Sequence, residues 1–140
     1  PEGAPVVLLD PEKPLGGERA AGAWVWAELW TDDLVAAGKF YDEVIGYERS
    51  ETDLLGQTYP LFEIDGEPRA GIVEIEDKAV DPIWAPYLAV KDVAATVEKA
   101  KSLGGRILLE PKPENRGGRV ALLADPTGGA FFIYQIEADS

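Results

Sequence analysis

Trp24, Trp26, Glu28 and Trp30 stand at every second position of the segment Trp24-Val-Trp-Ala-Glu-Leu-Trp30. Such alternation puts three indoles and one carboxylate on one face of a strand and Val25, Ala27 and Leu29 on the other. Indoles stack flat rings, and a carboxylate among them attracts a cation or, once desolvated, takes up a proton. Because Val25, Ala27 and Leu29 already supply a core stripe, the Trp/Glu face is expected to line a cleft. Plain core packing is the alternative.

The residue types that are missing narrow the chemistry further. The chain has no His and no Cys. That removes the commonest general base, the thiolate nucleophile and all soft metal ligands, and with them Ser/His/Asp and Cys/His catalysis and structural zinc. Disulfides are excluded as well, which fits a reducing compartment. For proton transfer or a hard metal ion, the carboxylate that the strand alternation itself places on the Trp face is Glu28.

The elements that must hold these residues can be read from caps, periodicity and turns. After the Trp strand, Asp32-Asp33 offers an N-cap, Leu34, Ala37, Tyr41 and Val44 recur at helical spacing, and Gly46 ends the segment as a C-cap glycine does. Tyr47–Thr52 is expected to be a short strand, and Thr58–Ile64 with Ala70–Glu76 a hairpin about the turn dipeptide Asp65-Gly66. Beyond the polar stretch Asp77–Pro82 the same order returns: strand Pro86–Lys91, cap Asp92, helix Val93–Leu103, stop Gly104-Gly105, then strands Arg106–Leu109, Arg119–Ala124 and Ala130–Gln135. Trp84, just ahead of this second set, is expected to be an aromatic plug between the halves.

An offset of 59 residues lays Leu29 on Leu88, Asp33 on Asp92, Leu34 on Val93, Ala36 on Ala95 and Gly46 on Gly105. The expected fold class is therefore α+β, with two βαβββ modules (23–77 and 83–136) forming a concave, partly open barrel with the helices on the outside. Pro1–Leu9 echoes Pro126–Tyr134 in its proline, glycine and apolar run. Residues 1–22 are accordingly expected to be an orphan strand plus linker, either the end of a preceding similar domain or a swapped arm, and 137–140 a tail.

The 26 acidic and 13 basic residues give a net charge of −13, a field that repels nucleic acid and anionic lipid and draws cationic ligands. No apolar run approaches the roughly 20 residues of a spanning helix, and Pro1–Pro5 lacks the pattern of a signal peptide, so a soluble, cytoplasmic protein is expected. Gly117-Gly118 and Gly128-Gly129 precede strands instead of opening helices, which argues against a phosphate loop. Asp125-Pro126 is turn chemistry, and Lys99, Lys101 and Arg106 are expected on a solvated face.

Several stretches together resemble the vicinal oxygen chelate superfamily: Trp26-Ala-Glu-Leu-Trp-Thr-Asp-Asp33, Lys39-Phe40-Tyr41, Gly46-Tyr47, Tyr87-Leu-Ala-Val-Lys-Asp-Val93, Leu103-Gly-Gly105 and Asp125-Pro-Thr-Gly-Gly-Ala-Phe131. That superfamily includes glyoxalase I, the bleomycin resistance proteins and the extradiol dioxygenases. The resemblance spans Trp24 to Ile136 and is specific for fold; metal enzymes and metal-free drug-binding proteins share it. It implies metal ligands, usually His and Glu, at inward positions on the first and last strand of each module. Those places fall on Trp26, on the stretch Ala85 to Tyr87, near Phe132 and, by an offset of 58, near Glu74, so a single carboxylate stands where four ligands would. A hard ion needs six or more oxygens. No metal, cofactor or catalytic residue is therefore expected.

Without a metal, the expected ligand wall is Trp24, Trp26, Glu28, Trp30 and Glu74 from the first module and Tyr87, Phe132 and Tyr134 from the second. The function the resemblance implies is a glyoxalase- or bleomycin-resistance-like protein that binds a small aromatic molecule, cationic ones included, in a Trp-lined cleft. One alternative is a lyase, isomerase or dioxygenase-like enzyme using Glu28 or Glu74 as base or weak metal ligand. Another is a degenerate module of a longer tandem protein. Besides the small molecule, the expected partner is a second copy in a homodimer or a tandem neighbouring domain.

Overall fold

The computed structural model of the protein describes residues 20–77 and 79–136. Most of the expected orphan strand and linker, and the tail, lie outside the described residues. The elements run β1 (Trp24–Thr31), α1 (Leu34–Ile45), β2 (Glu48–Leu54), β3 (Gln57–Ile64), β4 (Glu67–Glu74), β5 (Ile83–Val90), α2 (Val93–Ser102), β6 (Arg106–Leu109), a 3-10 turn at Arg116–Gly118, β7 (Val120–Ala124) and β8 (Ala130–Gln135). The chain is α+β, with a mixed sheet whose strands pair in both parallel and antiparallel fashion. Its described residues fall into two compact units, Trp26–Ala85 and, in the other, 20–25 together with 86–136.

In the first unit the strand order is β2-β3-β4-β1. β1 runs parallel to β4 from Glu28 opposite Gly71 to Thr31 opposite Glu74, and the remaining pairs are antiparallel. The Asp33 carboxylate starts α1 by accepting from the amides of Val35 (3.1 Å) and Ala36 (2.9 Å), and Gly46, at φ 82°, ends it. A side-chain cap of this kind contributes about 1 kcal/mol. One stripe of the helix, Ala37 and Tyr41, packs on Leu29, Phe62, Ala70 and Ile72. Trp84 joins this core: its indole N–H donates to the Tyr41 hydroxyl at 2.9 Å, and its ring stands edge-on to Tyr41 at 5.4 Å.

Because Leu29 and Ile72 face α1, strand alternation turns Trp26, Glu28, Trp30, Gly71 and Val73 to the opposite side of the sheet. The aromatic face and the core stripe are thus separated by the period of two that the sequence carries.

The second unit has strand order β5-β8-β7-β6, with β5 parallel to β8 from Tyr87 opposite Phe132 to Val90 opposite Gln135. Asp92 caps α2 through the Ala95 amide (2.9 Å). Val93 and Val97 of α2 pack on Ala121, Leu123 and Ile133, with Leu88 and Phe131 against them. Alternation therefore points Tyr87, Phe132 and Tyr134 away from the helix. Gly22 and Ala23 bond to the backbone of Ala89 at 2.8 Å each. Trp24 follows them and stays 59% exposed, edge-on to Phe131 at 6.2 Å.

Candidate functional site

Glu28 is 1% exposed, and its carboxylate is the hub of a side-chain network in the first unit. The Tyr59 hydroxyl donates to Oε1 at 2.6 Å, within the range of charge-assisted O–H···O bonds, and the Trp30 indole N–H donates to Oε2 at 3.3 Å. The Trp26 indole N–H in turn donates to the Tyr59 hydroxyl oxygen at 3.0 Å. A single run of bonds thus links Trp26, Tyr59, Glu28 and Trp30. The two indoles and the phenol are half-buried. Their polar ends are tied down, which fixes the orientation of their ring faces.

The network depends on a missing side chain. Tyr59 lies on β3 and Glu28 on β1, with β4 between them. The phenol reaches across β4 at Gly71, the residue opposite both Leu61 and Glu28. A Cβ built on Gly71 would stand 1.7 Å from the Tyr59 hydroxyl oxygen and 3.0 Å from Cγ of Glu28. Glycine inside a strand is explained here by the close crossing of another side chain.

Glu74 is not brought to this network. It is exposed, lies opposite Thr31, and shares the alternation of Ile72 instead of that of Gly71 and Val73. The registers explain the difference. Glu28 stands opposite Gly71 on β4, whereas Tyr87 stands opposite Phe132 on β8. The position across from Glu28 is thus Gly71, which carries no side chain.

In the second unit Tyr87 and Phe132, directly opposite each other, stack with ring centres 4.5 Å apart and planes 6° apart. They are 2% and 3% exposed, so their ring faces are used on each other and on what covers them. Part of that cover is Arg116, whose Nη1 donates to the Tyr87 hydroxyl at 3.0 Å with the guanidinium 5.4 Å from the ring centre. Arg119 lies over Tyr134 at 5.3 Å and donates from Nη2 to the Gln135 carbonyl at 2.7 Å. Sequence reasoning missed four residues: Tyr59, Gly71, Arg116 and Arg119. For the arginines, a signal was present in two basic residues flanking Gly117-Gly118 in an otherwise acidic chain.

A resident metal of the kind the superfamily implies does not fit these residues. Glu28 supplies one carboxylate, and both of its oxygens already accept hydrogen bonds. Gly71 offers no donor, and the corresponding pair in the second unit is a buried aromatic stack. Among the described residues no three carboxylates, histidines or cysteines converge.

The model of the glyoxalase-like domain matches residues 24–134, which takes in every element described above except the last residue of β8. The chain belongs to the glyoxalase-like domain family. This glyoxalase-like chain is 40% identical over 116 residues to the anthracycline biosynthesis protein DnrV of Streptomyces peucetius, covering 82% of the chain and 42% of that protein. It is 33% identical over 136 residues to CFP32 of Mycobacterium bovis, covering 95% and 52%. The chain therefore spans about half the length of these curated relatives. Among solved structures it resembles Streptomyces coelicolor methylmalonyl-CoA epimerase in complex with 2-nitronate-propionyl-CoA, with TM-score 0.56, 21% identity, and coverage of 85% of this chain and 100% of that one. It also resembles protein BH1468 of Bacillus halodurans, with TM-score 0.57, 16% identity, and coverage of 84% and 96%. At those identities the likeness is one of fold.

Proposed function

We propose that this glyoxalase-like domain binds a small planar aromatic molecule on the Trp26 and Trp30 faces of its first unit, without a metal in the site. The observation that carries the proposal is the bond sequence Trp26 to Tyr59 to Glu28, met from the other side by Trp30. Immobilising a side chain on binding costs about 0.5–1.5 kcal/mol, and rings already held at their polar ends avoid part of that cost. Each stacked aromatic pair then contributes about 0.5–1.5 kcal/mol beyond the area it buries. In this reading Glu28 fixes the wall instead of meeting the ligand. Preference for cationic over neutral rings would come from cation–π contact and from the −13 field.

The likeness to DnrV, an anthracycline biosynthesis protein, supports the ligand class, since anthracyclines are built on a planar fused-ring frame. The test is a calorimetric titration with an uncharged planar probe, 2-methylanthraquinone. Wild type should bind it, and Trp26→Ala and Trp30→Ala should each weaken binding by about tenfold, the loss of one stacked face. Affinities within twofold of wild type for both variants would remove the proposed wall.

A second reading, a lyase or isomerase-like enzyme with Glu28 as general base, is favoured by one observation: a carboxylate at 1% exposure beside a phenolic hydroxyl. Glu28→Gln separates the two. Under the binding proposal it keeps probe affinity within a few-fold, whereas under the second reading it abolishes deuterium exchange from solvent into a carbon-acid substrate.

A further inference from the structure

We infer that the cleft between α1 and the start of β2 takes a free α-amino acid, its carboxylate on Arg49 and its ammonium on Asp42. The inference goes beyond the proposed function, because this cleft lies on the other side of the sheet from Trp26 and Trp30. Arg49 stands opposite Phe62 of β3, and Phe62 packs in the core beneath α1.

The space is the first argument. Gly38, Lys39 and Asp42 of α1, with Tyr47, Glu48 and Arg49, line about 410 Å³, within the roughly 300–1,000 Å³ of small-molecule clefts. The Tyr47 ring is anchored on Phe62, with ring centres 5.2 Å apart and planes 28° apart. Alternation turns the Glu48 side chain to the far side of the sheet with that of Ser50. The charged side chains left at the cleft are Lys39, Asp42 and Arg49.

The delivery of Arg49 is the second. A Cβ built on Gly38 would run into Cδ of Arg49, so the arginine stem lies across the helix where a side chain is missing. Glycine inside a helix is destabilising relative to alanine, and its place in the middle of α1 is explained by this crossing. The guanidinium ends at the Leu34 carbonyl, to which Nη1 donates at 3.5 Å, beyond the usual length of such a bond. Among the described residues this is its one polar contact. A planar fork held so loosely by the protein suits a bidentate carboxylate.

The charge at the other end of the cleft is the third. The last turn of α1, Asp42-Glu-Val-Ile45, has no basic residue, although a helix C-terminus favours cations. Lys39 comes within 3.9 Å of Glu43, and among the described residues no ion pair joins Asp42 to Arg49 or to Lys39. A ligand ammonium at Asp42 would meet a carboxylate and the negative end of the helix together, in a chain whose net charge of −13 attracts it. One zwitterion thus answers an arginine and an aspartate that line the same cleft without pairing with each other.

The experiment titrates the intact chain with L-phenylalanine, 3-phenylpropionate and phenethylamine, by calorimetry and by ligand-observed NMR. The second probe lacks the ammonium and the third lacks the carboxylate. Arg49 and Asp42 are exposed, and an exposed ion pair contributes up to about fivefold in affinity, so phenylalanine should bind about threefold to fivefold more tightly than either. Asp42→Asn should remove the advantage over 3-phenylpropionate, and Arg49→Gln the advantage over phenethylamine. Gly38→Ala should displace the arginine stem and lower phenylalanine affinity about as much as Arg49→Gln does. In an Arg49→Ala background the same glycine substitution should change affinity by less than twofold. No binding of phenylalanine, equal affinity for the three probes, or a preference that survives Asp42→Asn and Arg49→Gln would each overturn the inference. The proposed function is read separately, from 2-methylanthraquinone and Trp26→Ala.

Discussion

Among the described side chains Glu28 is the one buried carboxylate, and it accepts from the Tyr59 hydroxyl and the Trp30 indole. Taking away the acceptor of a half-buried donor costs about 1 kcal/mol or more, so Glu28→Ala should lower unfolding free energy in urea by about 2–4 kcal/mol. Tyr59→Phe should cost about 1–2 kcal/mol, since it removes one donor and the acceptor of the Trp26 indole. The two substitutions touch one bond, and the double variant should lose less than the sum; strict additivity would show that the network is not a unit. Glu28 could be singled out from sequence because type and spacing sufficed: an acid between indoles at period two. Tyr59 could not, because it comes into contact only through the register of two strand pairs.

At the scale of elements, caps and turns were the most legible. Asp33, Gly46, Asp92 and the Asp65-Gly66 turn act locally, and α1, α2, β6 and β8 lie where these signals placed them, α2 to within a residue. What could not be read was the pairing between strands. Counting alone put Glu74 on the cleft face, whereas the parallel register of β1 and β4 sets Gly71 there and Glu74 on the other side. Trp84 belongs to β5, a strand that begins at Ile83 instead of Pro86, and packs in the core of the first unit.

Gly71 gives this scale its sharpest test. Gly71→Ala would force the Tyr59 ring away and should cost about 2–4 kcal/mol, the sum of overpacking and the broken bond to the buried Glu28 carboxylate. In a Tyr59→Ala background the same substitution should cost under about 1 kcal/mol, and an unchanged penalty there would contradict the crossing.

The turn between β7 and β8 makes a pH prediction. The Thr127 hydroxyl, then the Thr127 and Gly129 amides, hold the Asp125 carboxyl below the ordinary aspartate value. A depressed value means that the turn's stabilisation is present above the ordinary carboxylate range and is lost as pH falls through the lowered one. An NMR titration should find the Asp125 carboxyl midpoint low in wild type and higher in Thr127→Ala. Equal midpoints would contradict the assignment.

At the scale of the whole molecule, family membership rests on residues 24–134, and the net charge of −13 sets the field in which any ligand arrives. Membership was legible because glycines, caps and alternation recur in both halves of the sequence. The site was legible only in part. The indole wall shows in the spacing of one strand, but the burial of Tyr87 and Phe132 and the arginines over Tyr87 and Tyr134 depend on side-chain packing that no spacing encodes.

The four tryptophans make the central claim directly measurable. In a chain labelled with 5-fluorotryptophan, each resonance assigned by single Trp→Phe substitution, saturating 2-methylanthraquinone should shift the fluorines of Trp26 and Trp30. Those of Trp84, packed in the core of the first unit, and Trp24, edge-on to Phe131, should stay in place. Shifts confined to Trp24 or Trp84, or none at all, would contradict a ligand held on the indoles that Tyr59 and Glu28 fix.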